Sequence, residues 1–193
     1  MQEEEIEIFY ATSPGEWRKW LEKNHLSKQS VWLVCYNKAS GKKSITWSES
    51  VDVALCFGWI DSKKIRIDHE VSHQFFSKRK ANSIWSKINK DKIKQFVEQG
   101  LMTPAGYETI TVAKQNGSWT ILDEVEQLIV PEDLKAALKG KPAAIEFFEN
   151  LSKSSKKALL QWIVLAKRPE TREIRIAEIA KCAEEGLKPQ HLR

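Results

Sequence analysis

The sequence predicts an α+β fold, a small antiparallel sheet packed with helices and followed by an all-α C-terminal subdomain. The first observation behind this is helical spacing of apolar residues at Trp17, Trp20 and Leu21 and again at Val51, Ala54 and Leu55. The second is a switch to a period of two between Trp59 and Phe76. The third is a tail beyond about residue 130 in which only helical patterns recur. These divide the 193 residues into an α+β core module over 1–120 and a helical subdomain over 130–193.

Each element has a local reason. Ser13-Pro14-Gly15-Glu16 opens a helix, with a capping serine, proline in the first turn and an early acid. Val31-Trp32-Leu33-Val34-Cys35-Tyr36 is β-branched and aromatic, the composition of a strand buried on both faces. Ser44-Ile45 reads as a short second strand. Thr46-Trp47-Ser48-Glu49 fits the capping box, and the helix it opens stops at Gly58. Trp59–Ile67 and Val71–Phe76 form a hairpin around Asp68-His69-Glu70, with Trp59, Asp61, Lys63 and Ile65 on one side. Helix returns at about Ser83, ends near Gly100, and starts again at Met102-Thr103-Pro104-Ala105. In the tail, Pro131, Pro142 and Pro169 open helices, and Leu159, Trp162, Ile163 and Ala166 form an apolar stripe.

The net charge of +5 conceals segregation. Residues 78–94 hold seven cations against Asp91, and residues 151–175 hold seven against Glu170 and Glu173. The rest of the chain is acidic, so there are two basic islands. Cys35, Cys56 and Cys182 form no CxxC pair and read as reduced packing thiols. The acidic start Met1–Glu5 is unlike a signal peptide, and no apolar run approaches the ~20 residues of a membrane span. A cytoplasmic location is the expectation.

The first basic island lies beside tryptophans, which makes Trp59, Asp61, Lys78, Arg79, Trp85, Lys87 and Asn89 the candidate ligand-binding rim. Flat rings beside cations can stack a planar ligand while the cations meet its anionic groups. The competing reading places Trp59 and Trp85 in the core, solvates the lysines and pairs Arg79 with Asp61. Lys167, Arg168, Arg172 and Arg175 form a candidate secondary anion site, or else a seam binding acidic parts of the chain. His69 and His73 have metal-ligand spacing only on a helix, and the segment reads as strand and turn, so no metal is expected. There is no GxSxG, GxGxxG or P-loop, so neither nucleophilic catalysis nor a cofactor is expected.

Several motifs resemble the YdeI/OmpD-associated (bacteriocin-protection) family. They are Ala54–Asp61 (ALCFGWID), Phe76–Arg79 (FSKR), Ser83–Ser86 (SIWS) with Asn89, and Gly100–Gly106 (GLMTPAG). The tail is similar to the family's C-terminal helical module at Ala143, Phe147, Phe148, Leu151, Ser152, at Ala166–Arg172 and at Arg175-Ile176. The resemblance spans about residues 9–186. One departure is Phe76-Ser77-Lys78-Arg79-Lys80, which lacks the proline usual in members and so the preset backbone of that turn. The resemblance implies a stress or bacteriocin-tolerance protein with no assigned reaction. The expected function is therefore binding of an anionic or flat ligand, or a partner, through the aromatic-basic face. The alternatives are a small-molecule enzyme using Asp61 as acid/base and Arg79 as anion clamp, and a nucleic-acid-binding protein.

Overall fold

The computed structural model describes residues 6–192, so the acidic start Met1–Glu5 lies outside the described residues. The chain forms two compact units, one ending at Trp119 and the other starting at Thr120.

The first unit contains strands β1 (Ile8–Tyr10), β2 (Ser30–Tyr36), β3 (Trp59–Arg66) and β4 (Val71–Lys78). Its helices are α1 (Pro14–Asn24), α2 (Trp47–Cys56), α3 (Lys87–Glu98) and α4 (Pro104–Gln115). The sheet order is β1-β2-β4-β3. β4 runs antiparallel to both β2 and β3, whereas β1 pairs in parallel with β2. The sheet is therefore mixed. A three-residue strand is too short to show a period, which is why β1 was not legible. Ser44-Ile45 forms no strand; instead the Ile45 N–H donates to the Ala11 carbonyl at 3.2 Å.

The helix starts follow from side-chain caps. Ser13, Ser86 and Thr103 each accept an N–H of their helix's first turn, and Thr46 with Glu49 completes the capping box. α3 begins at Lys87, a turn later than the pattern indicated, because the cap is Ser86 and not Ser83.

Helices cover one face of the sheet. Val31, Leu33, Cys35, Gln74 and Phe76 are buried on that side, and residues between them are half-buried. The expectation that β2 is buried on both faces is thus corrected: its strict alternation marks one covered face and one open face. Beneath the sheet, Trp17 stacks on Trp20 at 5.2 Å and tilts against Phe76 at 5.4 Å, while Trp20 meets Trp59 edge-on at 5.9 Å. The Trp17 indole donates to the Ser50 carbonyl at 3.0 Å, which ties α1 to α2. A bulge between Asp61 and Lys64 breaks the period of β3. Ile65 pairs with His73 on the open side, so it does not share a face with Asp61.

Where α2 ends, three elements meet with no room for a β-carbon. Gly58 adopts φ +71°, and a Cβ there would lie 2.9 Å from the Ala105 carbonyl oxygen. A Cβ on Gly106 would lie 2.3 Å from the Cys56 carbonyl oxygen. That oxygen accepts both the N–H and the hydroxyl of Thr103, at 3.0 and 2.8 Å.

The second unit is helical: α5 (Asp123–Glu126), α6 (Glu132–Leu138), α7 (Pro142–Asn150), α8 (Lys153–Val164) and α9 (Pro169–Glu184). Leu134, Leu138, Phe148, Leu159, Leu160, Ile163, Ile176 and Ile179 form its core. The apolar stripe of α8 is Leu159, Leu160 and Ile163; Trp162 lies half-buried at its margin, and Ala166 falls beyond the helix.

Two glycine substitutions separate the close approach from ordinary helix propensity. Gly106→Ala is expected to lose about 1–3 kcal/mol to overpacking against backbone. Gly15→Ala, whose nearest neighbour is the Ser13 hydroxyl at 4.0 Å, is expected to gain up to about 1 kcal/mol. Urea unfolding of both variants measures the difference, and equal effects would contradict the geometry.

Candidate functional site

β4 ends at Lys78, and the next residue is fixed by a sheet-like bond, the Arg79 N–H donating to the Gly58 carbonyl at 2.9 Å. The side chain then turns back over the Trp85 ring, with the guanidinium carbon 3.6 Å from the ring centroid. Nη2 donates to the Ile84 carbonyl at 2.6 Å, closing the loop between β4 and α3. Nε and Nη1 are enclosed and have no hydrogen-bond partner. Arg79 is only 9% exposed. Burial pushes its pKa down to about 10, against the opposing pull of the Asp61 carboxylate.

Arg79 lies in the wall of a cleft of about 920 Å³. Lys78 and Lys80 add two cations, Asp61 one anion, and Ser30, Ser77 and Ser83 bring hydroxyls. The Asp61 carboxylate accepts the Trp47 indole N–H at 2.8 Å. It makes no ion pair with Arg79 among the described residues, so the pairing considered at sequence level is not formed. The Lys78 ammonium donates to the Leu26 carbonyl at 2.8 Å.

Of the seven rim candidates, the structure places Asp61, Lys78 and Arg79 in the cleft wall, seats the Trp85 ring under the Arg79 guanidinium, and leaves Trp59, Lys87 and Asn89 outside the lining. Trp59 and Trp85 are each 1% exposed, so neither ring offers a stacking surface. Trp59 belongs to the cluster under the sheet, and Trp85 supports Arg79 from beneath while packing on Trp119 at 4.9 Å. Lys87 and Asn89 sit in the first turn of α3, away from the cleft lining. Sequence reasoning missed the serines and Lys80. It also missed a second set of aromatic residues: Tyr10, Trp32, Tyr36 and Phe75 line the open sheet face. The i, i+4 spacing of Trp32 and Tyr36 on β2 was the available signal.

The secondary site comes apart in the second unit. Arg172 makes a bidentate pair with Asp133, at 2.6 and 3.0 Å, and this pair holds the Asp133 carboxyl below its ordinary range and ties α6 to α9. Arg175 donates to the Trp162 carbonyl at 2.5 Å and lies over that ring. Lys167 and Arg168 remain exposed. The pair acts as an internal seam, the reading weighed against an anion site.

His73 lies beside Trp32 on the open sheet face, and His69 occupies the hairpin turn near Glu70. No group of three or more His, Cys, Asp or Glu among the described residues is placed to hold a metal ion. Burial pushes the Cys35 and Cys56 thiols up, the opposite of what an activated nucleophile needs. No helix of the described residues is long and apolar enough to cross a membrane.

Residues 9–109, more than half of the chain, match the family described as Domain of unknown function (DUF8412). The chain belongs to that family. Residues 127–186 match the YdeI/OmpD-associated bacteriocin-protection family, so the resemblance read from the tail holds there. No curated protein and no solved structure matches the chain. The motifs at Ala54–Asp61 and Gly100–Gly106 fall within the DUF8412 segment, and geometry gives them a structural role. They are the two sides of the Cys56–Gly58 and Thr103–Gly106 contact. The Phe76–Arg79 motif delivers the cleft guanidinium.

An unpaired buried charge costs stability. The folded pKa of Arg79 is depressed, so this cost is fully present below about pH 10 and is relieved as pH rises towards the unfolded value. Arg79→Met keeps the contact with Trp85 and removes the charge. At pH 7 it is expected to range from unchanged to about 2 kcal/mol more stable by urea unfolding. A loss above about 2 kcal/mol would show that the guanidinium is a structural brace.

Proposed function

We propose that this chain is a binding protein for an oxyanion, a phosphate or carboxylate group, held in the Arg79 cleft. The observation that carries the reading is an enclosed guanidinium at the wall of a basic cleft with two donors unpartnered. Planar Arg donors match the oxygens of phosphate and carboxylate bidentately. A ligand oxygen reaches Nε and Nη1 once the guanidinium tips off the Trp85 ring, so binding offsets the cost of burying the charge. Lys78 and Lys80 supply the remaining positive field. A role in bacteriocin protection, the association carried by the name of the family matched by the tail, would then run through ligand capture.

A second reading makes Asp61 an acid/base beside the Arg79 clamp. It is favoured by the placement of both side chains on one cleft without an ion pair between them. A screen of phosphate and carboxylate esters separates the two. Turnover by the native chain that disappears in Asp61→Asn would make it an enzyme.

The test of binding is a thermal-shift titration with inorganic pyrophosphate. Saturation at about 100 times Kd corresponds to roughly 2.7 kcal/mol of added stability, a shift of a few degrees in Tm. The native chain is expected to show it and Arg79→Met to lose it. No shift in the native chain, or the same shift in both, rejects the site.

A further inference from the structure

The open face of the sheet carries rings and cations in repeating pairs. Trp32 and Phe75 meet edge-on at 4.8 Å, and the Lys63 ammonium lies 5.3 and 5.4 Å from their centroids. Farther along β2, Tyr36 meets Tyr10 edge-on at 5.3 Å, with the Lys42 ammonium 4.7 Å from the Tyr36 ring. At the other end of β2, Ser30 and Phe75 join the wall of the Arg79 cleft. The rings retain accessible surface: Tyr10 is 40% exposed and Trp32, Tyr36 and Phe75 are half-buried.

We propose that this face binds single-stranded nucleic acid, with bases stacked on the Trp32/Phe75 and Tyr36/Tyr10 clusters and phosphates met by Lys42, Lys63, Lys78, Lys80 and Arg79. The proposal rests on the anion reading of the Arg79 cleft and names the ligand class that cleft serves. The spacing carries it. Trp32 and Tyr36 are four residues apart on one strand, about 13 Å at roughly 3.3 Å per residue. A single flat ligand covers one cluster and leaves the other bare. A polymer that repeats a ring and an anion fits the repeated ring and cation. The face demands unpaired bases, since stacking on a protein ring needs a base released from its own duplex.

Fluorescence anisotropy with labelled oligothymidylate of about 12 nucleotides tests the proposal at low salt. Binding is expected to weaken with salt at a log–log slope of about −3.5, for five phosphate contacts at ~0.7 each. Trp32→Ala with Tyr36→Ala, neither of which lines the cleft, is expected to weaken it about tenfold or more, and to leave the pyrophosphate thermal shift in place. Lys42→Glu with Lys63→Glu changes only exposed positions, so it tests the face without disturbing the core; it is expected to reduce both affinity and salt slope. Duplex DNA of equal length is expected to bind more weakly. Absent oligothymidylate binding with an intact pyrophosphate shift overturns this inference and spares the cleft. Equal affinity for duplex, or for inorganic polyphosphate of matched charge, also overturns it. Loss of the pyrophosphate shift in the native chain removes the cleft itself.

Discussion

Between the end of α2 and the start of α4 there is backbone against backbone, and everything that positions the cleft follows from that contact. Gly58 turns the chain with positive φ directly from helix into β3, and Gly106 lets α4 come close enough for Thr103 to bond the Cys56 carbonyl. The Gly58 carbonyl then receives the N–H of Arg79. The guanidinium is thereby held one step from a contact that tolerates no side chain. The nearby hairpin cannot slip by one residue without exposing Phe76 and Gln74, which are buried.

Charge placement distinguishes the two basic islands more than charge content does. In the second unit the arginines at 172 and 175 find Asp133 and a carbonyl oxygen, and their positive charge is spent on joining elements. In the first unit Arg79 finds one carbonyl and an aromatic ring, which leaves two donor nitrogens, Nε and Nη1, unused. Proteins seldom leave buried donors unmet. The arrangement makes sense where the missing acceptor arrives from outside.

How much of this the sequence disclosed depends on the range of the interaction. Caps are local, so Ser13, Thr46 with Glu49, and Thr103 announced their helices. The hairpin was legible because period and turn agree over twenty residues. The parallel pairing of β1 depends on contacts made more than twenty residues away and leaves no local trace. The bulge at Asp61/Lys64 reversed the facing of Ile65, since one extra residue inverts a period of two. Trp59 and Trp85 were placed correctly near Arg79 in the chain but on the wrong side of the surface. The bland alternative, that a large ring fills core, describes them. Arg79 itself was readable by its type and neighbours; its unpaired state was not, because that depends on where Ile84 and Asp61 lie in space.

The strand order leaves β1 and β3 as the outer strands. β1 is three residues long, too short to template a neighbour. β3 is eight residues long, and along it Lys63, Lys64 and Arg66 are exposed. Unsatisfied strand borders invite copies of the same chain to zip together into insoluble aggregates, and a row of like charges discourages that. Lys63, placed to meet a polyanion, therefore also helps Lys64 and Arg66 keep one molecule's border from annealing to the next.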